Sequence, residues 1–451
     1  MTNINSKSDI LKFFYDAAVL KKDLLLGIEI ERSGFFVESM QPVNYFGANG
    51  YLAILKKLVK EVGWKIVDSD KKGNIFALKR GDSFINIESD GRLELSSKPR
   101  RTLFALNREV RMHENEINEI SRYFGIRWLS SGWQSFSKKS QLPLIPKGRI
   151  GILKDYFSQF KGGIENLVKA NGVHINFGYS SEEYAIKKFQ TMYCIAPIIA
   201  AMFANSPLNN GRATGLMNSR LNMIHKIDPK RNGVRKEFFD KDFNFEKWVD
   251  FVIDLPVFYI ERRINNVKKI IKFDGKTTFR DFMNKGYRKS KPRMKDLILH
   301  FKSIWTEVRI KNYIECRTIE SIPPSLMKSA AAVIKGVAFN TDAMNAASDL
   351  LKDLSFDEYC QLRDDADKYA LQAEVRGVKL LDYAKKLLDI STIGLREINK
   401  KYKLKHDESR FLWPIKEYVF VREQSPAEYV MEMWRGDWHK DPRKLLDWSE
   451  Q

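Results

Sequence analysis

The stretch Leu26-Gly27-Ile28-Glu29-Ile30-Glu31 alternates apolar and acidic residues. Successive side chains of a β-strand point to opposite faces, so Glu29 and Glu31 share one face and Ile28 and Ile30 share the other. The alternation therefore predicts a strand with one face in an apolar core and one acidic face.

Three later segments repeat this pattern: Ile87-Glu88 through Leu93-Glu94-Leu95, Val173-His174-Ile175-Asn176-Phe177 and Tyr313-Ile314-Glu315-Cys316-Arg317. If all four strands lie in one antiparallel sheet, their polar faces merge into one surface of carboxylates with an imidazole and a guanidinium. We call this surface the acidic face, and its members are Glu29, Glu31, Glu88, Glu94, His174, Asn176, Glu315 and Arg317.

A simple solvent-exposed face is the alternative, because many antiparallel sheets have one side in the core and the other in water. A solvent face in such a Lys-rich chain would be expected to carry lysines, and none stands at these positions. Clustered carboxylates repel one another unless positive charge lies among them, and Mg²⁺ prefers oxygen ligands. The four segments together favour a site for divalent cations and a nucleoside triphosphate.

Several motifs resemble those of the glutamate–cysteine ligases, in the same order along the chain. They are Leu26 to Glu31, Gly91-Arg92-Leu93-Glu94-Leu95-Ser96, Val173 to Phe177, Phe203-Ala204-Asn205-Ser206-Pro207 and Tyr313 to Arg317. Residues 217–231 and 278–283 resemble the plant-type and proteobacterial branch in particular. The chain departs from that branch at Glu88-Ser89-Asp90-Gly91-Arg92, where the branch carries a Gly-Gly-Gln turn.

The resemblance implies an α+β fold of the glutamine-synthetase-like carboxylate–amine ligases, with a curved antiparallel sheet that binds ATP and metal and is covered by helices. It implies ATP-dependent joining of the γ-carboxylate of L-glutamate to the amino group of L-cysteine through γ-glutamyl phosphate, the first step of glutathione biosynthesis. A ligase of the same fold that uses another amine acceptor remains the alternative, because acceptor pockets are built from few side chains.

The resemblance also implies roles for individual residues. Arg317 and Glu315 are the expected catalytic residues, and Arg317 would contact the transferred phosphoryl group. Arg220 and Arg231 are candidates for bidentate contacts to phosphate or to the α-carboxylate of glutamate. The expected ligands of Mg²⁺, with Mn²⁺ as the other option, are Glu29, Glu31, Glu88, Glu94, His174 and Glu315. The expected contacts to ATP or substrate are Asn176, Arg220, Arg231, Trp133 and Gln134.

Composition sets the outer limits. The 451 residues are 43% hydrophobic and 12% aromatic, which indicates a globular protein. We expect a catalytic core at residues 1–323 and a mostly helical part at residues 324–451 that packs on it, in a monomer or homodimer. No stretch is apolar and long enough for a membrane helix. The three cysteines, Cys194, Cys316 and Cys360, lack paired spacing. The sequence therefore predicts a reduced, cytoplasmic protein.

Charge raises a different class of function. Lys and Arg outnumber Asp and Glu by 77 to 57, and residues 262–295 are densely basic. Such a surface can bind nucleic acid through phosphates. However, the chain carries no recognisable nucleic-acid motif, so we expect a solvated basic surface without a specific nucleic-acid partner.

Local patterns predict helices at residues 8–19, 51–62, 102–124 and 182–205, and a mostly helical chain from residue 324 onward. Strands are predicted at residues 64–67, 75–78 and 84–87 between turn signals. Among the other histidines, His225 is the least ordinary because it lies in a loop with Arg220 and Arg231, but a structural role is expected for it. Cys316 should face the core and take no part in chemistry.

Overall fold

The computed structural model describes residues 3–264 and 267–451. Residues 265 and 266 of the basic stretch 262–295 thus lie outside the described residues. The strands are β1 (Leu26–Phe36), β2 (Lys65–Ser69), β3 (Ile75–Arg80), β4 (Ser83–Ile87), β5 (Leu93–Ser96), β6 (Ile126–Leu129), β7 (Gly172–Phe177), β8 (Leu208–Asn209), β9 (Arg212–Ala213), β10 (Tyr259–Ile264), β11 (Val267–Lys272), β12 (Val308–Ile310), β13 (Ile314–Glu320), β14 (Glu374–Val375) and β15 (Val378–Lys379).

Helices precede, separate and follow these strands. The helices before residue 324 are α1 (Lys7–Tyr15), α2 (Tyr51–Lys57), α3 (Leu103–Tyr123), α4 (Gly148–Phe157), α5 (Gly163–Lys169), α6 (Glu182–Cys194), α7 (Ala196–Met202), α8 (Ser219–Lys226), α9 (Phe245–Ile253), α10 (Phe279–Lys285) and α11 (Met294–Phe301). Those after it are α12 (Pro324–Ala338), α13 (Thr341–Ser348), α14 (Phe356–Tyr369), α15 (Leu380–Tyr402), α16 (Trp413–Lys416), α17 (Pro426–Arg435) and α18 (Pro442–Ser449).

The described residues form one large antiparallel sheet of nine strands, in the order β12-β13-β7-β1-β5-β4-β3-β2, with β6 also paired to β1. The segments that carry the alternating pattern are neighbours at its centre, since β13, β7, β1 and β5 pair in that order. The predicted α+β fold with a large antiparallel sheet is confirmed.

Strand register brings the polar residues onto one face. Glu31 lies opposite Glu94 across the β1–β5 pair, and Glu29 lies opposite His174 across the β1–β7 pair. Glu315 lies opposite Asn176 across the β13–β7 pair. Residues directly opposite each other in a ladder point to the same side of the sheet. The acidic face predicted from the alternation is therefore a continuous surface.

The other face of the sheet is the apolar core. Ile28, Ile30, Val173, Ile175 and Cys316 are each 2% exposed or less and belong to one hydrophobic cluster that runs from Ile4 to Val419. Helix α12 packs directly on β1 and β7 in this cluster. Apolar burial contributes about 25 cal/mol per Å², so this layer stabilises the packing of the helices on the sheet. The cluster contains residues from both sides of residue 323, so the two predicted parts share one core. The division into residues 1–323 and 324–451 stays a prediction.

A buried ion pair fixes the helical layer to the rest of the chain. Lys335 of α12 contacts Glu408 at 2.5 Å, and the other carboxylate oxygen of Glu408 accepts the backbone N–H of Leu103 at 2.6 Å. Leu103 is the first residue of α3, where a helix has unpaired N–H groups that attract negative charge. Glu408 therefore neutralises a buried lysine and caps a helix at once.

Two local predictions were wrong. The single helix predicted at residues 182–205 is two helices, α6 and α7, interrupted at Ile195. Pro197 explains the interruption, because proline has no N–H to donate and its ring clashes with the preceding turn. Glu88 lies just after β4, in the turn that ends at Arg92, and not within a strand.

Two glycines allow α12 and α15 to pack closely. A Cβ added to Gly394 would overlap the carbonyl oxygen of Gly336, and one added to Gly336 would overlap the carbonyl oxygen of Ser391. These backbones therefore meet at a distance that only glycine permits.

We expect Gly394→Ala to lower the melting temperature, because the added methyl group must push two packed helices apart. Overpacking of this kind costs about 1–3 kcal/mol. Gly151→Ala in α4 is the matched control, since its Cβ would meet no atom within 4 Å. Alanine favours a helix over glycine by about 1 kcal/mol, so this control should keep or raise the melting temperature. Equal melting temperatures for the two variants would contradict the close-packing account.

Candidate active site

A cavity of about 950 Å³ lies over the acidic face. Strands of the large sheet form its floor, and α4, α11 and the β10–β11 hairpin contribute residues to its walls. Most of the residues predicted from the sequence reach it: Glu29, Glu31, Glu88, Glu94, His174, Asn176, Arg220 and Arg317 line the cavity. The structure therefore brings together side chains that are up to 288 positions apart in the chain, from Glu29 to Arg317.

The possible metal-binding atoms fall into two groups. Glu29, His174 and Glu315 form one group, and Glu31, Glu88 and Glu94 form the other; within each group the donor atoms lie within 4.8 Å of one another. These are the six residues that the sequence predicted as metal ligands. We call the two groups the histidine cluster and the carboxylate cluster.

Two of the three members of the carboxylate cluster resist ionisation. Burial would raise the pKa of the third, Glu88, but the positive charges of Arg92 and Arg149 lower it. Burial and the neighbouring carboxylate of Glu88 raise the pKa of Glu31 to about 7. Burial and the charges of Glu29 and Glu88 raise the pKa of Glu94 well above its ordinary value. Carboxylates that resist ionisation in this way gain stability from a cation placed among them. Their oxygens are the ligand type that Mg²⁺ and Mn²⁺ take, so the residues fit a divalent metal ion.

Glu315 is already surrounded by positive charge. Arg309 makes two contacts to its carboxylate, at 2.9 and 2.8 Å, and Lys311 and Arg317 each approach to 2.5 Å. Burial would raise the pKa of Glu315, but these three cations hold it well below the usual range. Glu315 is fully buried and therefore fixes the position of Arg317, whose guanidinium faces the cavity.

Arg309 and Lys311 were not found by the sequence analysis. They stand on and just after β12, where Arg309 lies opposite Glu315. The signal was present, because Val308-Arg309-Ile310-Lys311 alternates in the same way as the acidic strands, with cations in place of acids. Both side chains line the cavity and add positive charge next to Arg317.

Arg220 connects α8 to the acidic face. Its Nη2 lies 3.2 Å from His174 Nε2, and both terminal nitrogens donate to the carbonyl oxygen of Arg317 at 3.2 Å. Gly172 makes room for this contact, since a Cβ there would lie 2.6 Å from Arg220 Nη2 and 2.8 Å from His174 Nε2. Burial and the positive charge of Arg317 lower the pKa of His174 to about 4, so its imidazole is neutral. Its Nδ1 lies 3.1 Å from Glu29 Oε2, so both ring nitrogens have a partner inside the protein.

The segment Asn205-Ser206 holds α8 in place. The backbone N–H of Asn205 and the hydroxyl of Ser206 both donate to the buried carboxylate of Glu320, and the N–H of Ser219 donates to Ser206 Oγ at 2.7 Å. Glu320 ends β13, and Ser219 begins α8. The motif therefore joins the strand that carries Arg317 to the helix that carries Arg220.

Three predicted contacts do not line the cavity. Arg231 is buried against Phe258 and donates to Ser303 Oγ at 2.7 Å. Trp133 donates its indole N–H to Asn209 Oδ1, and Gln134 exchanges hydrogen bonds with Ser137. Each of these polar groups is used inside the protein, so none is directed at the cavity floor.

The comparison with known protein families gives a match over residues 25–445 to the family described as glutamate–cysteine ligase family 2. The chain belongs to glutamate–cysteine ligase family 2. Among its relatives, glutamate–cysteine ligase B, chloroplastic, of Oryza sativa subsp. japonica is 29% identical over 445 residues, which cover 98% of this chain and 86% of the relative. The chloroplastic glutamate–cysteine ligase of Arabidopsis thaliana is 29% identical over 438 residues, covering 96% and 80%.

Solved structures show the same fold. The glutamate–cysteine ligase of Francisella tularensis, solved in complex with AMP, aligns with a TM-score of 0.56 at 15% identity and covers 94% of this chain and 87% of that one. A bifunctional glutathione synthetase from Pasteurella multocida aligns with a TM-score of 0.53 at 10% identity. The alignment covers 95% of this chain and 52% of that one. The predicted family, fold and class of enzyme, an ATP-dependent ligase of the glutamate–cysteine ligase type, are confirmed.

The predicted cytoplasmic location was wrong. The relatives in rice, Medicago truncatula and Arabidopsis are named as chloroplastic enzymes, and this finding contradicts the cytoplasmic prediction. The inference failed because unpaired cysteines argue only against an oxidising compartment and do not distinguish among reducing ones.

We expect Glu94→Gln to reduce turnover more than a hundredfold while the protein still unfolds cooperatively, because the variant keeps its shape and loses one charged oxygen. Loss of such a metal ligand commonly removes about 3 kcal/mol or more of charge stabilisation. Glu116→Gln is the control: Glu116 pairs with Arg80 at 2.8 Å and does not line the cavity. Near-normal turnover of the Glu94 variant at saturating Mg²⁺ would identify the acidic face as a mere solvent face.

Proposed function

We propose that this chain joins the γ-carboxylate of L-glutamate to the amino group of L-cysteine at the expense of ATP, in the first step of glutathione biosynthesis. The observation that carries the proposal is the pairing of two clusters of metal-binding atoms with Arg317, Arg220 and Lys311 around a single cavity. Family membership supplies glutamate, cysteine and ATP as the substrates.

The chemistry needs an activated carboxylate. The leaving group of a free carboxylate would be oxide, so an amide forms only after one oxygen carries a phosphoryl group. In the proposed reaction the γ-carboxylate of glutamate attacks the terminal phosphorus of ATP and releases ADP. The amino group of cysteine then attacks the acyl carbon of γ-glutamyl phosphate and expels phosphate. Catalysis of such a transfer rests mainly on positioning and on neutralising charge.

The metal is proposed to be Mg²⁺, with Mn²⁺ as an alternative. Glu31, Glu88 and Glu94 would hold an ion in the carboxylate cluster. Glu29 and His174, with Glu315 alongside, would hold an ion in the histidine cluster. When bound, it would neutralise and orient the triphosphate. Oxygen ligands in a half-buried, acidic group support this choice of ion.

Fixed cations of the chain would complete the charge balance. Arg317, held at 2.5 Å by Glu315, would present a guanidinium to the transferring phosphoryl group, and this orientation is set before ATP arrives. Arg220 would bind phosphate or the α-carboxylate of glutamate, and Asn176, which donates to Glu29 at 2.8 Å, would keep that carboxylate turned toward the cavity. Arg231, Trp133 and Gln134 would support the walls of the site from behind.

The sulfur of Cys316 takes no part in this mechanism. It is fully buried on the apolar face, and burial raises the pKa of its thiol. A thiol that is neutral and closed to substrate is a poor nucleophile.

We further propose that the enzyme acts as a monomer or homodimer without a membrane or specific nucleic-acid partner. Several cations of the basic stretch are engaged in ion pairs, for example Arg262 with Asp296 at 2.6 Å and Lys272 with Asp155 at 2.6 Å. Among the described residues, none of the helices has both the length and the apolar character needed to cross a bilayer.

Phosphate release from ATP should require Mg²⁺, L-glutamate and an amine acceptor together, with L-cysteine as the best natural acceptor. The acidic face needs a metal–triphosphate to balance its charge, and phosphoryl transfer needs glutamate as the acceptor. Mass spectrometry of the product checks the assignment, and γ-glutamylcysteine is the expected mass. The mass of a different γ-glutamyl amide would show that the enzyme uses another amine acceptor. No turnover with any amine, together with salt-dependent retention of nucleic acid, would contradict a ligase.

A further inference from the structure

A buried group of charges lies outside the cavity, near the C-terminal end of α8. His225 Nε2 lies 2.9 Å from Glu307 Oε1, and His225 Nδ1 lies 3.1 Å from Asp367 Oδ2. The three side chains are 5%, 4% and 0% exposed. Glu307 immediately precedes β12, and Asp367 lies in the last turn of α14. We call Glu307, His225 and Asp367 the His225 bridge.

The bridge is held by charge. Burial alone would lower the pKa of His225, but the carboxylates of Asp367 and Glu307 outweigh it and raise the pKa to about 9. An imidazolium carries a proton on both ring nitrogens. His225 Nδ1 hydrogen-bonds Asp367, and Nε2 approaches Glu307 at ion-pair distance without hydrogen-bond geometry. Arg363 faces the same group, with Nη1 3.8 Å from Glu307 Oε1, and the hydroxyls of Tyr193 and Tyr359 also lie near Glu307. Two cations therefore lie beside two anions in a largely buried group.

Backbone hydrogen bonds tie the same residues to the active site. The N–H groups of Met217 and Asn218 both donate to the carbonyl oxygen of Asp367 at 2.9 Å. The N–H of Arg317 donates to the carbonyl oxygen of Glu307 at 2.8 Å. Asp367 thus holds the segment that enters α8 through its backbone and the far end of α8 through His225. Glu307 is bonded to the strand that carries the phosphoryl-binding arginine.

The position of Arg220 depends on these anchors. Helix α8 spans only Ser219–Lys226, and a helix this short is not stable by itself in water. Its orientation is therefore set by its contacts, at Ser206 and Asp367 near the start and at the His225 bridge near the end. The guanidinium of Arg220 reaches from this helix to His174 and to the carbonyl oxygen of Arg317, each at 3.2 Å. A small rotation of α8 would break both contacts.

We propose that His225 is a positioning residue for the ligase reaction, which holds α8 between β12 and α14 so that Arg220 stays against His174 and Arg317. The inference rests on the proposed function. Through α14, the C-terminal helical part would then help to position Arg220 in the active site. The His225 bridge itself contributes no lining residue to the cavity.

The test uses charge balance. His225→Gln leaves two buried carboxylates with one cation, whereas the double variant His225→Gln/Asp367→Asn restores balance and keeps donors and acceptors in place. We expect His225→Gln to lower kcat/KM for glutamate at least tenfold at a temperature where it is folded, and the double variant to recover most of that loss. The Gly394→Ala variant is the control, because it loosens α12 and α15 and leaves the bridge intact.

The outcomes separate three cases. A folded His225→Gln variant with wild-type kcat/KM overturns the inference. The inference is also overturned if Gly394→Ala, with an equally lowered melting temperature, loses as much kcat/KM as His225→Gln. The bridge would then be merely structural. An inactive wild-type enzyme, with no turnover of ATP, glutamate and cysteine, would instead refute the proposed function.

A pH series covers the case in which His225→Gln does not fold. Because the pKa of about 9 in the folded protein exceeds the usual 6.5, the bridge stabilises fully below pH 6.5 and this contribution is lost as pH rises through about 9. Wild-type kcat/KM for glutamate should fall through that range more steeply than that of the double variant, which lacks the titrating imidazole. Parallel profiles would overturn the inference, since substrate ionisation affects both enzymes equally.

Discussion

The repulsion among crowded carboxylates, four half-buried and one fully buried, on one face of a single sheet is the constraint on which the rest of the structure depends. Glu29, Glu31, Glu94 and Glu315 are brought together by strand register, and Glu88 joins them from the turn after β4. Like charges in a poorly solvated space cost free energy unless cations balance them. The chain supplies part of that balance itself. Arg309, Lys311 and Arg317 surround Glu315, so this corner of the site is complete in the protein alone.

The carboxylate cluster differs from Glu315 in a functionally important way. The pKa values of Glu31 and Glu94 are raised, which means that these groups are held in an environment that disfavours their charged form. A cation placed among these groups would favour their charged form. Glu315 is paired with three cations of the chain, whereas in the proposed function the carboxylate cluster is the part that binds the metal ion.

The sequence was sufficient for the face of each strand but not for the arrangement of the strands. Two-residue periodicity decides which side of a strand a residue takes, so Glu29, Glu31, His174 and Glu315 were assigned correctly. Arg309 and Lys311 have the same periodicity, but their side chains are cations, so a pattern of alternating acids does not include them. The placement of Arg231 could not be read from the sequence, since its partners Phe258 and Ser303 are distant along the chain and only tertiary packing makes them neighbours. The interruption of the helix at Ile195 is predictable from Pro197, although the sequence pattern alone predicted one continuous helix.

Binding of Mn²⁺ tests the central claim, that the acidic face is a metal site and not a solvent face. Electron paramagnetic resonance can count Mn²⁺ bound to the wild-type chain and to Glu94→Gln in the presence of a non-hydrolysable ATP analogue. Loss of a residue that merely supports a metal ligand weakens binding by about 10–100-fold, so loss of a ligand itself should weaken at least one bound ion by about tenfold or more. Equal Mn²⁺ stoichiometry and affinity in the two proteins would contradict the account.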